Sequence, residues 1–167
     1  MPVAIFLSHS TYDDATVAEL RIALESHGVS VWADSQRLSA GEELTPRIQE
    51  AIANAQHFVV LLSPRAINSP WVHKEVQLAQ TVKQSRRDGY KVIPVLYDGV
   101  TPGALPWLFD AEIVAVTLGN GPNAIAAALP DLLVALGLRL PDDPLLPTPL
   151  ETVPLAELTL HLTELSA

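Results

Sequence analysis

The stretch HFVVLLS, residues 57–63, is a nearly continuous apolar run that ends at a serine. A strand that is covered on both faces shows no alternation of polar and apolar residues, so this run predicts a buried strand of a parallel sheet. Further short apolar runs occur before and after it, at residues 3–7, 29–33, 91–97 and 112–118. Together the five runs predict one five-stranded parallel sheet.

Segments with helical periodicity lie between the predicted strands. Thr11, Thr45 and Ser69 precede three of them as candidate caps, and a proline follows the last two, as is favoured in a first helical turn. Pro130 is expected to break or kink the final helix, and Pro94 predicts a bulge or a sheet edge in the fourth strand. Strands that alternate with helices indicate an α/β domain with helices on both faces of the sheet.

Composition and charge narrow the class of protein. The chain has 167 residues, 49% of them hydrophobic and none of them cysteine, which allows one domain with a real core and excludes disulfide scaffolds. The net charge is −9, and Arg139 is the only basic residue after position 91, so no nucleic-acid partner is expected. No apolar run approaches the ~20 residues that span a bilayer. The predicted location is the cytoplasm, without membrane contact.

Several common site motifs are absent from the sequence. The five histidines show neither HxxxH nor HExxH spacing, so no metal site is predicted. Neither GxGxxG nor the P-loop motif occurs, which argues against a Rossmann enzyme or a P-loop NTPase. The pair Arg86 and Arg87 is interpreted as the solvated basic end of a helix.

The composition changes near residue 138. Five prolines fall between positions 141 and 154, and this region is acidic, which is typical of an extended linker. We therefore expect a folded domain at residues 1–137 and a Pro-rich acidic tail at 138–167. Such a tail is of the kind that leads into a further, C-terminal sensor domain.

Polar side chains follow the predicted strands at their carboxyl ends, which is where open parallel sheets bind ligands. Trp71 and Glu75 lie one turn apart on the helix after the third strand, so they share a face of it. The candidate residues at this edge are Ser8, His9, Ser10, Asp34, Trp71 and Glu75.

One carboxylate beside an aromatic ring suits the cleavage of an N-glycosidic bond whose leaving group is already cationic. Ordinary glycoside hydrolysis needs two carboxylates because the leaving group must be protonated. Nicotinamide needs no proton, so one carboxylate that stabilises the developing positive charge on the ribose suffices. On spacing alone, however, Glu75 is more simply a solvated carboxylate near Lys74, and Trp71 a core or rim residue.

Four motifs occur in order over residues 1–137: FLSHS at 6–10 with two aspartates after it, WAD at 32–34 with the loop that follows, VLLSP through SPWVHKE at 60–75, and VIPV at 92–95. In these motifs the sequence resembles the Toll/interleukin-1 receptor (TIR) domain family. Within that family it is similar to the bacterial members that cleave NAD. The resemblance implies a flavodoxin-like α/β fold with five parallel strands and helices on both faces.

Enzymatic members of the TIR family cleave NAD+ at the nicotinamide–ribose bond with the glutamate of a Trp-x-x-x-Glu motif. The resemblance therefore implies that Glu75 is catalytic and that NAD+ is a substrate, with no cofactor. It implies that the remaining residues at the edge bind the substrate: Ser8, His9, Ser10, Asp34 and Trp71. Bacterial members often act in antiphage defence.

The segment 34–44 carries apolar and charged side chains with no evident core partner. The resemblance implies that Arg37, Leu38 and Leu44 mediate self-association, and that assembly into an oligomer or filament activates the enzyme. A non-enzymatic TIR–TIR adaptor or virulence module is the alternative from another class. An enzyme similar to nucleoside deoxyribosyltransferases is a second alternative. Whether the product is linear or cyclic ADP-ribose stays open.

Overall fold

A computed structural model describes residues 3–33, 43–109 and 113–138. Within them lies a five-stranded sheet in the order β2-β1-β3-β4-β5, with every neighbouring pair parallel. Its strands are β1 (Val3–Ser8), β2 (Val29–Ala33), β3 (His57–Leu62), β4 (Val92–Tyr97) and β5 (Val116–Leu118). The predicted flavodoxin-like α/β fold is confirmed.

Helices cover both faces of the sheet. They are α1 (Asp14–Glu25), α2 (Pro46–Asn54), α3 (Pro64–Ile67), α4 (Pro70–Ser85) and α5 (Ala124–Ala135), with 3-10 turns at Thr11–Asp13 and Pro102–Trp107. Side chains of α1 and α5 pack on one face, and those of α2 and α4 on the other. Among the described residues, no helix is both long and apolar enough to cross a bilayer.

Alternate side chains of the central strands enter two different cores. Phe6 and Phe58 point toward α2 and α4, and their rings stack with centroids 5.6 Å apart. Leu7 and Val59, one position further along each strand, point toward α1 and α5. Because both faces are covered, every position of β3 after His57 is buried, which explains the continuous apolar run.

Two of the three predicted helix caps are confirmed. The hydroxyl of Thr45 accepts from the amide of Ile48, and that of Ser69 accepts from the amide of Val72, both at 3.3 Å. The prediction that Thr11 caps the first helix is wrong. Ser10 is the last extended residue there, and its hydroxyl accepts from the Tyr12 amide, so Thr11 already lies inside the 3-10 turn.

The predictions for the two prolines are only partly met. β4 is an interior strand, and Pro94 stands opposite Val60 of β3 in an unbroken register, so the expected bulge is absent. On its other side, pairing with β5 begins at Val95, and the strand is locally an edge at Pro94. Pro130 does not break α5, because buried Leu132 and neighbouring apolar residues hold the helix against the sheet on both sides of the proline.

The fifth strand is shorter than predicted. Of the range 112–118, only Val116–Leu118 pairs with β4, and 113–115 is described but not a strand. After α5, Gly137 adopts φ +80°, a left-handed conformation that glycine adopts without strain. The predicted tail lies outside the described residues from position 139 onward.

Arg86 joins the ends of two helices. Its Nη1 donates to the backbone oxygens of Ala53, at 2.9 Å, and Ala55, and its guanidinium lies over the ring of Tyr90. Since the last carbonyls of α2 have no partner inside the helix, this side chain satisfies them. Arg86 is therefore half-buried rather than solvated as predicted, and it ties α4 to α2.

The candidate active site

Glu75 lies on the second turn of α4, and its side chain has no exposed surface. The Ser69 cap fixes where α4 begins, so that Trp71 and Glu75 both fall on the face toward the sheet. The simpler interpretation of Glu75 as a solvated carboxylate is therefore wrong. Trp71 is 3% exposed and packs in the core between the sheet and α4.

Ser8 is the contact between the sheet and the carboxylate. It is the last residue of β1, and its hydroxyl donates to Oε1 of Glu75 at 2.7 Å. Both side chains are fully buried. The two residues lie 67 positions apart in sequence, and the fold brings them together at the carboxyl ends of the strands, where ligands bind in parallel sheets.

His9 and Ser10 lie beside this pair, but their side chains bond to the protein. Nε2 of His9 lies 2.8 Å from Oδ1 of Asp14, and the imidazole is 3% exposed. The Ser10 hydroxyl, which is also buried, is the cap of the turn before α1. These hydrogen bonds hold the loop between β1 and α1 in place above the edge of the sheet.

Ser63 forms a second polar pair at the same edge, and its contact with Asp13 was not predicted. The Ser63 hydroxyl donates to Oδ2 of Asp13 and accepts from the amide of Ala66, which caps α3. Beside it, the guanidinium of Arg65 lies 4.3 Å from the ring centre of the exposed Tyr12. The sequence signals for this pair were the position of Ser63 directly after the third strand and the aspartate at position 13 that follows FLSHS.

The indole of Trp71 has an unusual environment. Its Nε1 is buried and has no hydrogen-bond acceptor in the part of the chain that the structure describes. A buried donor without an acceptor is destabilising by about 1–3 kcal/mol. Groups of three or more metal-ligating side chains do not occur among residues 3–33, 43–109 and 113–138.

The residues predicted for self-association divide into two groups. Arg37 and Leu38, together with the substrate-binding candidate Asp34, lie outside the described residues. Leu44 is described, and the expectation that it lies on a contact surface is wrong, because it is only 8% exposed and packs in the core formed by α2 and α4. It directly precedes the Thr45 cap, so its backbone is fixed at the start of α2 and its apolar side chain is drawn inward.

Known proteins are similar to this chain in sequence. The sequence is 30% identical over 97 residues to a 2′ cyclic ADP-D-ribose synthase of Bacteroides thetaiotaomicron, covering 58% of this chain and 33% of that protein. It is 33% identical over 100 residues to an NAD(+) hydrolase of a Theionarchaea archaeon, covering 58% and 29%. It is 27% identical over 135 residues to a 2′ cyclic ADP-D-ribose synthase of Acinetobacter baumannii, covering 78% and 49%. The chain thus spans between about a third and a half of the length of these relatives.

A solved structure shares the fold. The TIR domains of the activated Roq1 resistosome, which directly recognises the pathogen effector XopQ, align with a TM-score of 0.53 at 23% identity, covering 78% of this chain and 70% of that one. The sequence profile described as TIR domain matches residues 5–134, from the first strand to the last helix. This chain therefore belongs to the TIR domain family.

Proposed function

We propose that this chain cleaves NAD+ at the nicotinamide–ribose bond, releasing nicotinamide and ADP-ribose or a cyclic form of it. One observation carries the proposal, namely the buried carboxylate of Glu75, held by Ser8 at the carboxyl edge of the sheet. The names of the similar proteins, an NAD(+) hydrolase and two 2′ cyclic ADP-D-ribose synthases, support it.

In this reaction Glu75 acts through its charge. The bond between C1′ of the ribose and the nicotinamide nitrogen breaks, and its electron pair leaves with the nitrogen as neutral nicotinamide. Positive charge then develops on the ribose, where a nearby carboxylate stabilises it, more strongly in a buried site than in water. Water completes hydrolysis by adding its oxygen to C1′ and losing a proton, whereas a hydroxyl of the same molecule gives a cyclic product.

Trp71, His9, Ser10 and Asp34 are proposed to shape the substrate pocket. Trp71 is buried like Glu75, so its ring can stack on a flat heterocycle only after the movement that uncovers the carboxylate; its Nε1 is a donor without an acceptor among the described residues. His9 and Ser10 hold the loop after β1, and Asp34 is proposed to border the same pocket from beyond β2. NAD+ is the proposed substrate, and no cofactor is needed for this chemistry.

We propose that self-assembly activates the enzyme. Since Glu75 has no exposed surface, it can meet a substrate only after a neighbouring side chain or segment moves. Contacts between TIR domains through Arg37 and Leu38 would supply the energy for such a movement. In this proposal the protein is a cytoplasmic effector of antiphage defence, and residues 138–167 tether its TIR domain to a sensor.

The same burial favours one alternative. A carboxylate that is closed off from solvent also fits a non-enzymatic module that binds other TIR domains, in which Glu75 serves only the packing of α4 on β1. Incubating the protein with NAD+ at several concentrations and identifying the products by mass spectrometry decides between the two. We expect nicotinamide with linear or cyclic ADP-ribose. A chain that leaves NAD+ intact at every concentration is the adaptor. A parallel incubation with free nucleosides tests the second alternative, since an enzyme similar to nucleoside deoxyribosyltransferases would cleave them in preference to NAD+.

Activity per molecule is expected to rise with protein concentration if assembly activates the enzyme. Leu38→Asp should suppress this rise, because an unpaired charge in a contact between domains is costly to bury. Ile22→Asp places the same charge on an apolar side chain of α1 that is 70% exposed, and it should leave the rise unchanged. Initial rates over a dilution series measure both. Specific activity that is independent of concentration in all three proteins would contradict activation by assembly.

A further inference from the structure

We infer that Ser8 is a positioning residue for the carboxylate of Glu75 and does not contact the substrate, an inference that rests on the proposed function. The Ser8 hydroxyl donates to Oε1 of Glu75 at 2.7 Å, and both side chains have no exposed surface. The resemblance to TIR domains had placed Ser8 among the residues that bind the substrate. The hydrogen bond to Glu75 indicates instead that Ser8 positions the carboxylate.

The donor belongs to one of the most restrained parts of the fold. β1 lies between β2 and β3, with Leu7 paired to Ala33 on one side and Ser8 paired to Val60 on the other. A backbone that is paired on both sides as far as Leu7, and to β3 at Ser8 itself, cannot move far without breaking these ladders. The hydroxyl is therefore a fixed point from which the position of Glu75 can be set.

The acceptor needs such a fixed point. A glutamate side chain has three rotatable bonds, and holding it in one rotamer costs conformational entropy. A hydrogen bond from a neutral hydroxyl to a carboxylate is stronger than one between two neutral groups, and 2.7 Å is a normal length for it. The Ser8 hydrogen bond holds the carboxylate in its catalytic position before the reaction begins, so that no reorganisation is needed when positive charge develops in the transition state.

The donor capacity of Ser8 is used up by this bond. A serine hydroxyl has one hydrogen, and here that hydrogen points to Glu75. Ser8 therefore has no donor left for a ribose or phosphate oxygen. With its hydrogen committed to Glu75, Ser8 is expected to affect the rate of bond cleavage more than the binding of the substrate.

The test compares steady-state kinetics for NAD+ in the full chain, with nicotinamide release as the readout. Ser8→Ala removes the hydroxyl, and Ser8→Cys replaces it with a weaker donor of similar shape, which serves if the alanine variant does not fold. Both should lower kcat by about 10- to 100-fold and leave KM within about twofold, as expected when an interaction acts only in the transition state.

Ser63→Ala is the matched control. Ser63 is buried and its hydroxyl also donates to a carboxylate, but that carboxylate is Asp13. This variant loses a part-buried hydrogen bond to a carboxylate together with the side-chain cap of α3, so it should also lower the thermal stability, but with kcat unchanged. A fall in kcat for Ser63→Ala equal to that for Ser8→Ala would overturn the inference, because general loosening of the edge would then explain both.

The remaining outcomes are also decisive. A raised KM with unchanged kcat in both Ser8 variants would make Ser8 a substrate contact and overturn the inference, and so would unchanged kinetics. In either case the wild-type enzyme still cleaves NAD+, so the proposed function stands. A wild-type chain that releases no nicotinamide at any concentration overturns the proposed function, and the inference with it.

Discussion

Glu75→Gln is expected to lower the release of nicotinamide from NAD+ by roughly 100-fold or more, the size of effect seen when a preorganised electrostatic contact is removed from an active site. The substitution removes the negative charge and keeps the shape of the side chain. Its amide oxygen can still accept from the Ser8 hydroxyl, which now donates to Oε1 of the carboxylate. The domain should therefore fold as before, and fluorescence-detected unfolding checks this beside the rate assay.

Glu19→Gln is the matched control for the loss of one charge. Glu19 lies on an exposed position of α1, so its variant should turn over NAD+ at the wild-type rate. Full activity in Glu75→Gln would contradict the assignment of Glu75 as the catalytic carboxylate. A large loss of activity in Glu19→Gln would instead indicate that the rate of nicotinamide release depends on the net charge of the domain.

Phe58→Ala is expected to destabilise the domain strongly. Phe58 is fully buried in β3 and its ring stacks on Phe6, at an interplanar angle of 5°. Truncating a buried phenylalanine costs about 3–5 kcal/mol, a large part of the 5–15 kcal/mol that is typical of a whole domain. Urea denaturation should show the midpoint moving strongly downward.

Two further variants serve as controls for Phe58→Ala, one at the same position and one at the surface. Phe58→Leu keeps most of the volume and should cost about 1.5 kcal/mol or less. Ile22→Ala removes an apolar side chain that is 70% exposed and should change the unfolding free energy by about 0.5 kcal/mol or less. Equal midpoints for Phe58→Ala and Ile22→Ala would show that β3 does not form the centre of the core.

The regular parts of the fold could be predicted from sequence because their signals are local. The apolar runs of β1 and β3 predict both strands to within one residue, since a strand buried on both faces needs apolar side chains at nearly every position. Thr45 and Ser69, each followed by proline, fix the starts of α2 and α4 for an equally local reason. Thr11 fails as a cap because Ser10, one residue earlier, has the same capping chemistry.

The contacts of the candidate site could be predicted only in part. The rule that ligands bind at the carboxyl ends of parallel strands places Ser8 and Glu75 at one edge, but it does not say that they touch. That contact depends on β1 and β3 being neighbours in the sheet and on the rotation of α4 about its axis. No local sequence pattern specifies either of these. The burial of Leu44 and the hydrogen bonds from Arg86 to the end of α2 were missed for the same reason, since each depends on partners distant in sequence.

The distance of 67 positions between Ser8 and Glu75 has a consequence for synthesis of the protein. A ribosome makes β1 first, and its terminal hydroxyl has no carboxylate to hold until the chain has grown through β2, α2, β3 and the start of α4. A translation product that stops within β3 carries β1 and β2 complete yet lacks Glu75. Under the proposed function, unfinished chains that end before α4 lack this carboxylate and should not cleave NAD+.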